Sequence, residues 1–422
     1  MNRPLVGWDL ATWRITQSEP GLSANVVAIA EIAGRITPEQ LYPRIENLLN
    51  NYPVLSMGVM DSLPIALEIL PNFTFEDYVS SEDADVVELA KTLSNRKVGY
   101  GECLWRLHIV QRASKTYLIC AIHHAIADGN TAMMLLQMIF DDPQAPRTID
   151  SEQTQKPDVY EELKSGAGKI VNRLTKDPVG LANDLNQMIQ SLSRIISFSN
   201  TASQRDSSAN LTAKFLKIDK RQLQNIVRGN RISNHDVLVA VVISTIQKYL
   251  AETQTHRNSI IANIPVAMNI NDAAANKLIV ARIDFSSQAQ PVSELMQTSR
   301  EKLRTWRNEP SLSLASHLIN ATALIPIDVI TKTLKNADAT VSTLVSGVSQ
   351  KRLFGYEIKG VWPLVPPIGA ALNFTSVAIG EYVHIGLALD SAAIKDFQVW
   401  QTVFDQTCTE VFGGKIFEQI FE

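Results

Sequence analysis

Residues 117–129 read Tyr117-Leu118-Ile119-Cys120-Ala121-Ile122-His123-His124-Ala125-Ile126-Ala127-Asp128-Gly129, and this stretch decides the fold class. Its first six residues are mostly apolar and partly β-branched, the pattern of a strand buried on both faces. Two imidazoles, a carboxylate and a glycine follow within seven residues. Asn130 then stands where it can cap a helix carrying the apolar run Ala132-Met133-Met134-Leu135-Leu136. His124 is thereby expected where a rigid central strand ends and the chain turns, a place α/β proteins use for chemistry.

A chain of 422 residues exceeds the size that one core usually serves, so two similar halves or two domains are expected. With 45% hydrophobic and 19% charged residues, the composition is that of a globular protein. A formal charge of −4, with Lys and Arg scattered along the chain, provides no basic field for phosphate backbones, and nucleic acid is excluded as a partner. Cys103, Cys120 and Cys408 are too few and too far apart for a disulfide framework or a zinc site; no metal is expected, and a reducing, cytoplasmic setting is. No run reaches the roughly 18 apolar residues of a bilayer span, and Trp8-Asp9 interrupts the place of a signal peptide.

Outward from the motif, Trp105, Leu107 and Ile109 alternate with Arg106 and His108 as in a half-buried strand, joined through Arg112-Ala113-Ser114-Lys115 to the motif strand as a hairpin. Thr37-Pro38-Glu39-Gln40 is a capping box ahead of Leu41, Ile45, Leu48, Leu49 and Tyr52 at helical spacing. From Asp141-Asp142-Pro143 the composition turns polar, and between Pro178 and Phe198 the residues Leu181, Leu185, Met188, Ile189, Leu192, Ile195 and Ile196 form a helical stripe. The opposite face of that stripe offers Asn, Asp, Gln and Ser rather than Lys and Arg, which favours packing on the protein over peripheral lipid contact.

The second half opens with a helix capped by Asp219, a longer helix from Ser233 through Tyr249 whose start Asn234 steadies, and strands over Ser259–Val266 and Leu278–Phe285. A helix over Leu295–Leu303 and strands over Leu372–Val377 and His384–Leu389, parted by Gly380-Glu381, complete the pattern. The organisation read from this is a first lobe over 1–150, a linker with an amphipathic helix over 151–210, and a second lobe over 211–422. Both lobes are α/β, each a mixed sheet covered by helices.

With the His-His-x-x-x-Asp-Gly run in place, the chain resembles the thioester-dependent acyltransferase superfamily that includes chloramphenicol acetyltransferase, the condensation domains of nonribosomal synthetases and wax ester synthase/diacylglycerol acyltransferases. Asn51-Tyr52-Pro53-Val54-Leu55, Leu104-Trp105-Arg106-Leu107-His108, Asn234-His235-Asp236-Val237 and Gly369-Ala370-Ala371-Leu372-Asn373-Phe374-Thr375 are similar to further stretches of wax ester synthases, in the expected order. The resemblance implies two chloramphenicol-acetyltransferase-like lobes set as a V, with a tunnel between them and the motif at its middle. It also implies direct transfer without a covalent enzyme intermediate. The co-substrate would be acyl-CoA or a phosphopantetheinyl thioester, with no tightly bound cofactor.

The residues themselves support the chemistry. A hydroxyl is a poor nucleophile until a neutral imidazole within hydrogen-bond reach removes its proton, and histidine's ordinary pKa leaves it neutral in the cytoplasm. Alternation along the strand turns His123 away from His124, and that divergence, together with the pattern of the family the chain resembles, makes His124 the base and His123 a secondary, packing residue. The same divergence argues against a metal held by His123, His124 and Asp128. Asp128 is read as structural or orienting. In the superfamily this carboxylate pairs with an arginine, but Ile264-Pro265-Val266-Ala267-Met268-Asn269 ends in asparagine where that arginine stands, which leaves Arg282 as a substitute partner. Gly129 is read as steric permission for the turn and for substrate access. Asn373, Thr375 and Ser376 are candidates for oxyanion or substrate contacts.

The leading reading is an O-acyltransferase that moves an acyl group from a CoA thioester to a hydroxyl of a lipophilic acceptor. A second reading within the same chemistry is a condensation-type enzyme that takes its acyl group from a carrier protein and forms an ester or amide. From another class, a non-catalytic lipid-binding or scaffold homologue would bind ligand and turn nothing over.

Overall fold

The computed structural model describes residues 2–19, 21–71, 74–141, 210–267, 278–307, 326–345, 352–413 and 416–421. The stripe over 178–198 and Asn269 lie outside them. Three sheets organise these residues.

The motif strand is Thr116–His123, and all eight of its residues are buried. It pairs antiparallel with Asn25–Ile32 on one side, from Asn25↔His123 to Ile32↔Thr116, and with Trp105–Gln111 on the other, from Trp105↔Ile122 to Gln111↔Thr116. The hairpin read from the sequence is therefore present. On one face Leu118, Cys120 and Ile122 join Leu41, Ile45 and Leu48 of the helix Pro38–Asn51 and Leu135 and Leu136 of the motif helix Gly129–Met138. The opposite face, carrying Tyr117, Ile119 and Ala121, packs on Val27, Ile29, Phe215, Trp362 and Phe421. Two dry faces explain why this strand reads as an unbroken apolar run. His108, expected on a polar face, is buried instead, because the edge strand Val79–Glu82 brings Ser80 Oγ to within 2.7 Å of its Nδ1.

Thr37 N–H donates to Gln40 Oε1 at 2.9 Å, closing the capping box with Pro38 in the first turn. Two other caps differ from expectation. The motif helix is capped by Asp128 rather than Asn130, and the long helix Asn234–Glu252 by Ser233, reciprocally with Asp236, rather than by Asn234. In each case a residue one or two positions earlier accepts from the N–H three positions on from itself, the geometry a side-chain cap requires.

The second sheet orders its strands as Leu278–Ser286, Ser259–Ala267, Ala339–Leu344, Leu372–Ile379, Tyr382–Asp390, Leu211–Asp219 and Ile416–Glu418. Helices Asn234–Glu252, Val292–Arg307 and Phe397–Phe412 cover its outer face, where Val237, Val241, Leu295, Phe374, Leu387 and Phe404 share one core. A small third sheet joins Asn2–Pro4, Ala66–Ile69 and Met57–Met60.

The two-lobed α/β expectation holds, yet the second half does not keep to its own sheet. Strands Arg352–Leu353 and Tyr356–Leu364 cross over and extend the first sheet, Leu364 pairing with Val27 and Ile358 with Ile32. Residues 211–422 thus do not form a lobe by themselves. At the crossing, a Cβ on Gly386 would lie 1.5 Å from the Pro363 carbonyl oxygen, so strands of the two sheets meet backbone to backbone there. Gly386→Ala is expected to prevent the lobes from docking, read as loss of soluble folded protein. Gly129→Ala, whose Cβ meets only the end of the half-buried Leu344 side chain, should still fold.

His123 and His384 are each 1% exposed. Burial, with the His124 ring beside His123 and the Lys217 ammonium beside His384 second, pushes both rings from an ordinary 6.5 down to about 3. The unfolded chain therefore takes up protons below pH 6.5 that the folded chain refuses, and stability is lost as pH falls through that window. Each ring contributes a slope on the order of 1.4 kcal/mol per pH unit. Denaturant unfolding at several pH values between 6.5 and 5 should show this decline, and His384→Leu should flatten it by about one proton.

Candidate active site

The strand ends at His123 and the chain turns at once, with His124, Ala125 and Ile126 forming the turn that precedes Asp128 and the motif helix. His123 N–H donates to Leu104 O at 2.7 Å, His124 N–H to Ala24 O at 2.9 Å, and Ile126 N–H to His123 O at 3.1 Å. These bonds fix the turn on both sides. The His123 ring points inward, with Nδ1 accepting from Ala125 N–H at 3.1 Å, Nε2 3.3 Å from Thr16 Oγ1, and the Trp13 ring edge-on at 5.5 Å. His124 is only half-buried, unlike every residue from Thr116 to His123. The two imidazoles thus diverge, one sealed in the core and the other open at the turn.

Asp128 Oδ1 accepts from Thr131 N–H at 2.8 Å, and its carbonyl accepts from Ala132 N–H at 2.8 Å. A carboxylate at a helix N-terminus is favoured by the first-turn N–H groups and the helix dipole, so the chain provides for this charge locally. Arg282 does not serve as expected. Its Nη1 donates to Thr333 O at 2.8 Å, and the acidic groups that act on it are Asp338 and Asp284, while burial lowers its pKa.

Gly129 has no positive φ; what demands glycine is close approach, since a Cβ there would lie 2.7 Å from Leu344 Cδ2 of the second lobe. Next to it, Asn130 Oδ1 accepts from Val345 N–H at 2.9 Å. The motif helix therefore meets the strand Ala339–Leu344 at the seam between the lobes.

Across that seam the second sheet presents a polar row. Arg282, Asn263, Thr340 and Asn373 are consecutive register partners on four strands, while their strand neighbours Ala281, Ile264, Val341 and Phe374 belong to the second core. Thr375 Oγ1 donates to Asn373 Oδ1 at 2.7 Å and lies 2.8 Å from Ser342 Oγ. Asn373 and Thr375 share this face with Val377, which packs into the first core. Ser376, one residue out of phase, lies on the other face, where its hydroxyl donates to Thr343 Oγ1 at 3.1 Å and Thr343 lies 2.9 Å from His235 Nδ1. Asn373 and Thr375 come together, and Ser376 does not join them. Among the described residues no cluster of three or more His, Cys, Asp or Glu could hold a metal, and no helix is long and apolar enough to cross a membrane.

Trp13 and Thr16, on the helix Gly7–Ser18, went unread in the sequence because Thr12 and Thr16, both buried, interrupt the apolar period of Ala11, Trp13 and Ile15. Asn263 was missed because a polar residue within a strand reads as solvent-facing.

The two-lobed α/β fold is shared with solved structures of acyltransferases. The model of the wax ester synthase/diacylglycerol acyltransferase catalytic domain matches residues 80–234, and that of the C-terminal domain of the same enzymes matches 275–410. Over 97% of this chain and 98% of the other, the fold superposes on the wax ester synthase/diacylglycerol acyltransferase from Marinobacter aquaeolei VT8 with TM-score 0.61 and 14% identity. A starter condensation domain of rhizomide synthetase RzmA, in complex with C8-CoA and Leu-SNAC, gives TM-score 0.63 and 13% identity over 98% and 95% of the chains. Polyketide synthase associated protein 5 from Mycobacterium tuberculosis gives 0.60 and 13% over 97% and 99%. In sequence, an alignment of 289 positions covering 63% of the chain is 21% identical to polyketide synthase PksN of Bacillus subtilis (strain 168), of which it spans 5%. The chain belongs to the wax ester synthase/diacylglycerol acyltransferase family.

If Asp128 acts by capping, Asp128→Asn should keep the thermal midpoint close to that of the unsubstituted protein. Asp128→Ala should cost about 1 kcal/mol or more in denaturant unfolding.

Proposed function

We propose that the protein transfers an acyl group from a CoA thioester directly to a hydroxyl of a lipophilic acceptor, with His124 as general base. The observation that carries this is the divergence of the two imidazoles: His123 is sealed and neutral, whereas His124 is half-open at the turn beside the seam. In the reaction His124 takes the hydroxyl proton as the oxygen attacks the thioester carbon, and the resulting imidazolium returns that proton to the departing thiolate. The oxyanion would need fixed donors, and Asn373 Nδ2 on the seam face is a candidate, its amide held at Oδ1 by Thr375 Oγ1 and only 3.5 Å from Pro366 O at Nδ2. Apolar substrates suit the surroundings. Cys120, Ile122 and Leu136 line two small voids between motif strand and motif helix, one reaching Gly129 and Leu344 at the seam and the other Leu48, Leu55 and Trp105.

A carrier-protein donor is the second reading, favoured by the likeness to PksN and to a condensation domain. Competition between free acyl-CoA and the same acyl group on a phosphopantetheinyl carrier protein separates the two. For the base, His124→Ala should lower ester formation from acyl-CoA and an alcohol panel, followed by mass spectrometry, by about 10²–10⁴-fold at unchanged thermal midpoint. Undiminished turnover would remove His124 from the mechanism. Ligand binding with no product from any thioester, in the unsubstituted protein, would instead identify a binding or scaffold homologue.

A further inference from the structure

The hydrogen bonds around His123 form a directed chain. Ala125 N–H donates to Nδ1 at 3.1 Å, so that nitrogen carries a lone pair. The ring is 1% exposed and neutral, which puts its single proton on Nε2, 3.3 Å from Thr16 Oγ1. Thr16 has one proton of its own, and it goes to Trp13 O at 2.8 Å. Thr16 Oγ1 is therefore left to accept, and each group in the series has one compatible role. The turn that exposes His124 hangs on the last member, because Ala125 is the residue after His124.

We propose that Thr16 is a positioning residue for the transfer reaction: by accepting the Nε2 proton it holds His123 in the tautomer that anchors Ala125 N–H, and so fixes the direction in which His124 leaves the strand. The proposal rests on the assignment of His124 as base. Removing the hydroxyl strands a buried N–H, and the ring escapes by moving its proton to Nδ1 or by rotating. Either escape releases Ala125 N–H and lets His124 swing. The helix that bears Thr16 is also held from the other lobe, since Lys335 of the helix Ile327–Lys335 pairs with Glu19 just beyond Ser18. The two lobes thus jointly set where Thr16 sits.

Kinetics of Thr16→Val and Thr16→Ser with acyl-CoA and an alcohol, normalised to folded protein, test this. We expect kcat to fall about tenfold in Thr16→Val with KM for acyl-CoA unchanged, and Thr16→Ser to restore it. Undiminished kcat in Thr16→Val, or a loss that serine does not rescue, overturns the proposal. Should Thr16→Val not fold, nitrogen NMR of the unsubstituted protein, with the His123 ring assigned against His123→Gln, reads the tautomer itself. The Nε2–H form throughout pH 7.5 to 5.5 is expected, and an Nδ1–H form or a titrating ring overturns it. His124→Ala separates the two levels. If that variant is inactive while Thr16→Val is fully active, only the role of Thr16 fails; if His124→Ala is active, the base assignment fails.

Discussion

Burial of Thr116–His123 on both faces is the constraint from which the rest follows. A strand with dry cores above and below, and paired neighbours on either side, has no direction in which to yield. Whatever leaves its end is aimed by the whole first lobe. The reversal at His124, the cap at Asp128 and the helix beginning at Gly129 are three successive local solutions to one problem: turning the chain out of a sealed layer without leaving backbone groups unpaired.

The second lobe meets that turn with a contrasting surface. Its outer face is apolar and helix-covered, whereas the face toward the seam carries amides, hydroxyls and a guanidinium in register across four strands. Burying such groups is tolerable only when they bond to one another, as Asn373, Thr375 and Ser342 do. The carboxylate at 128 shows the same economy. It accepts a hydrogen bond from the Thr131 N–H of the helix it caps, where the N-terminus supplies partial positive charge.

Much of this was legible in the sequence where one local rule dominates. The hairpin at 105–122, the capping box at Thr37 and the cap at Asp219 follow from alternation or from a side chain reaching its own backbone, and both survive any tertiary context. The divergence of His123 and His124 came from strand geometry alone. What stayed hidden depends on distant partners. Thr16 looks like an ordinary polar residue until the fold brings it to His123, and the glycine at 129 is explained by Leu344, not by the turn. The crossover of Tyr356–Leu364 leaves no trace in periodicity, since a strand reads alike whichever sheet it joins.

That crossover bears on how the molecule is made. Until Tyr356–Leu364 has emerged from the ribosome, the strand Asn25–Ile32 has a bare rim of amide and carbonyl groups, the kind of surface on which nascent chains stick to one another. The first lobe must therefore wait, unfinished, for most of translation, and splitting the gene between the halves would leave one fragment short of two strands and the other carrying two strands with no sheet to join.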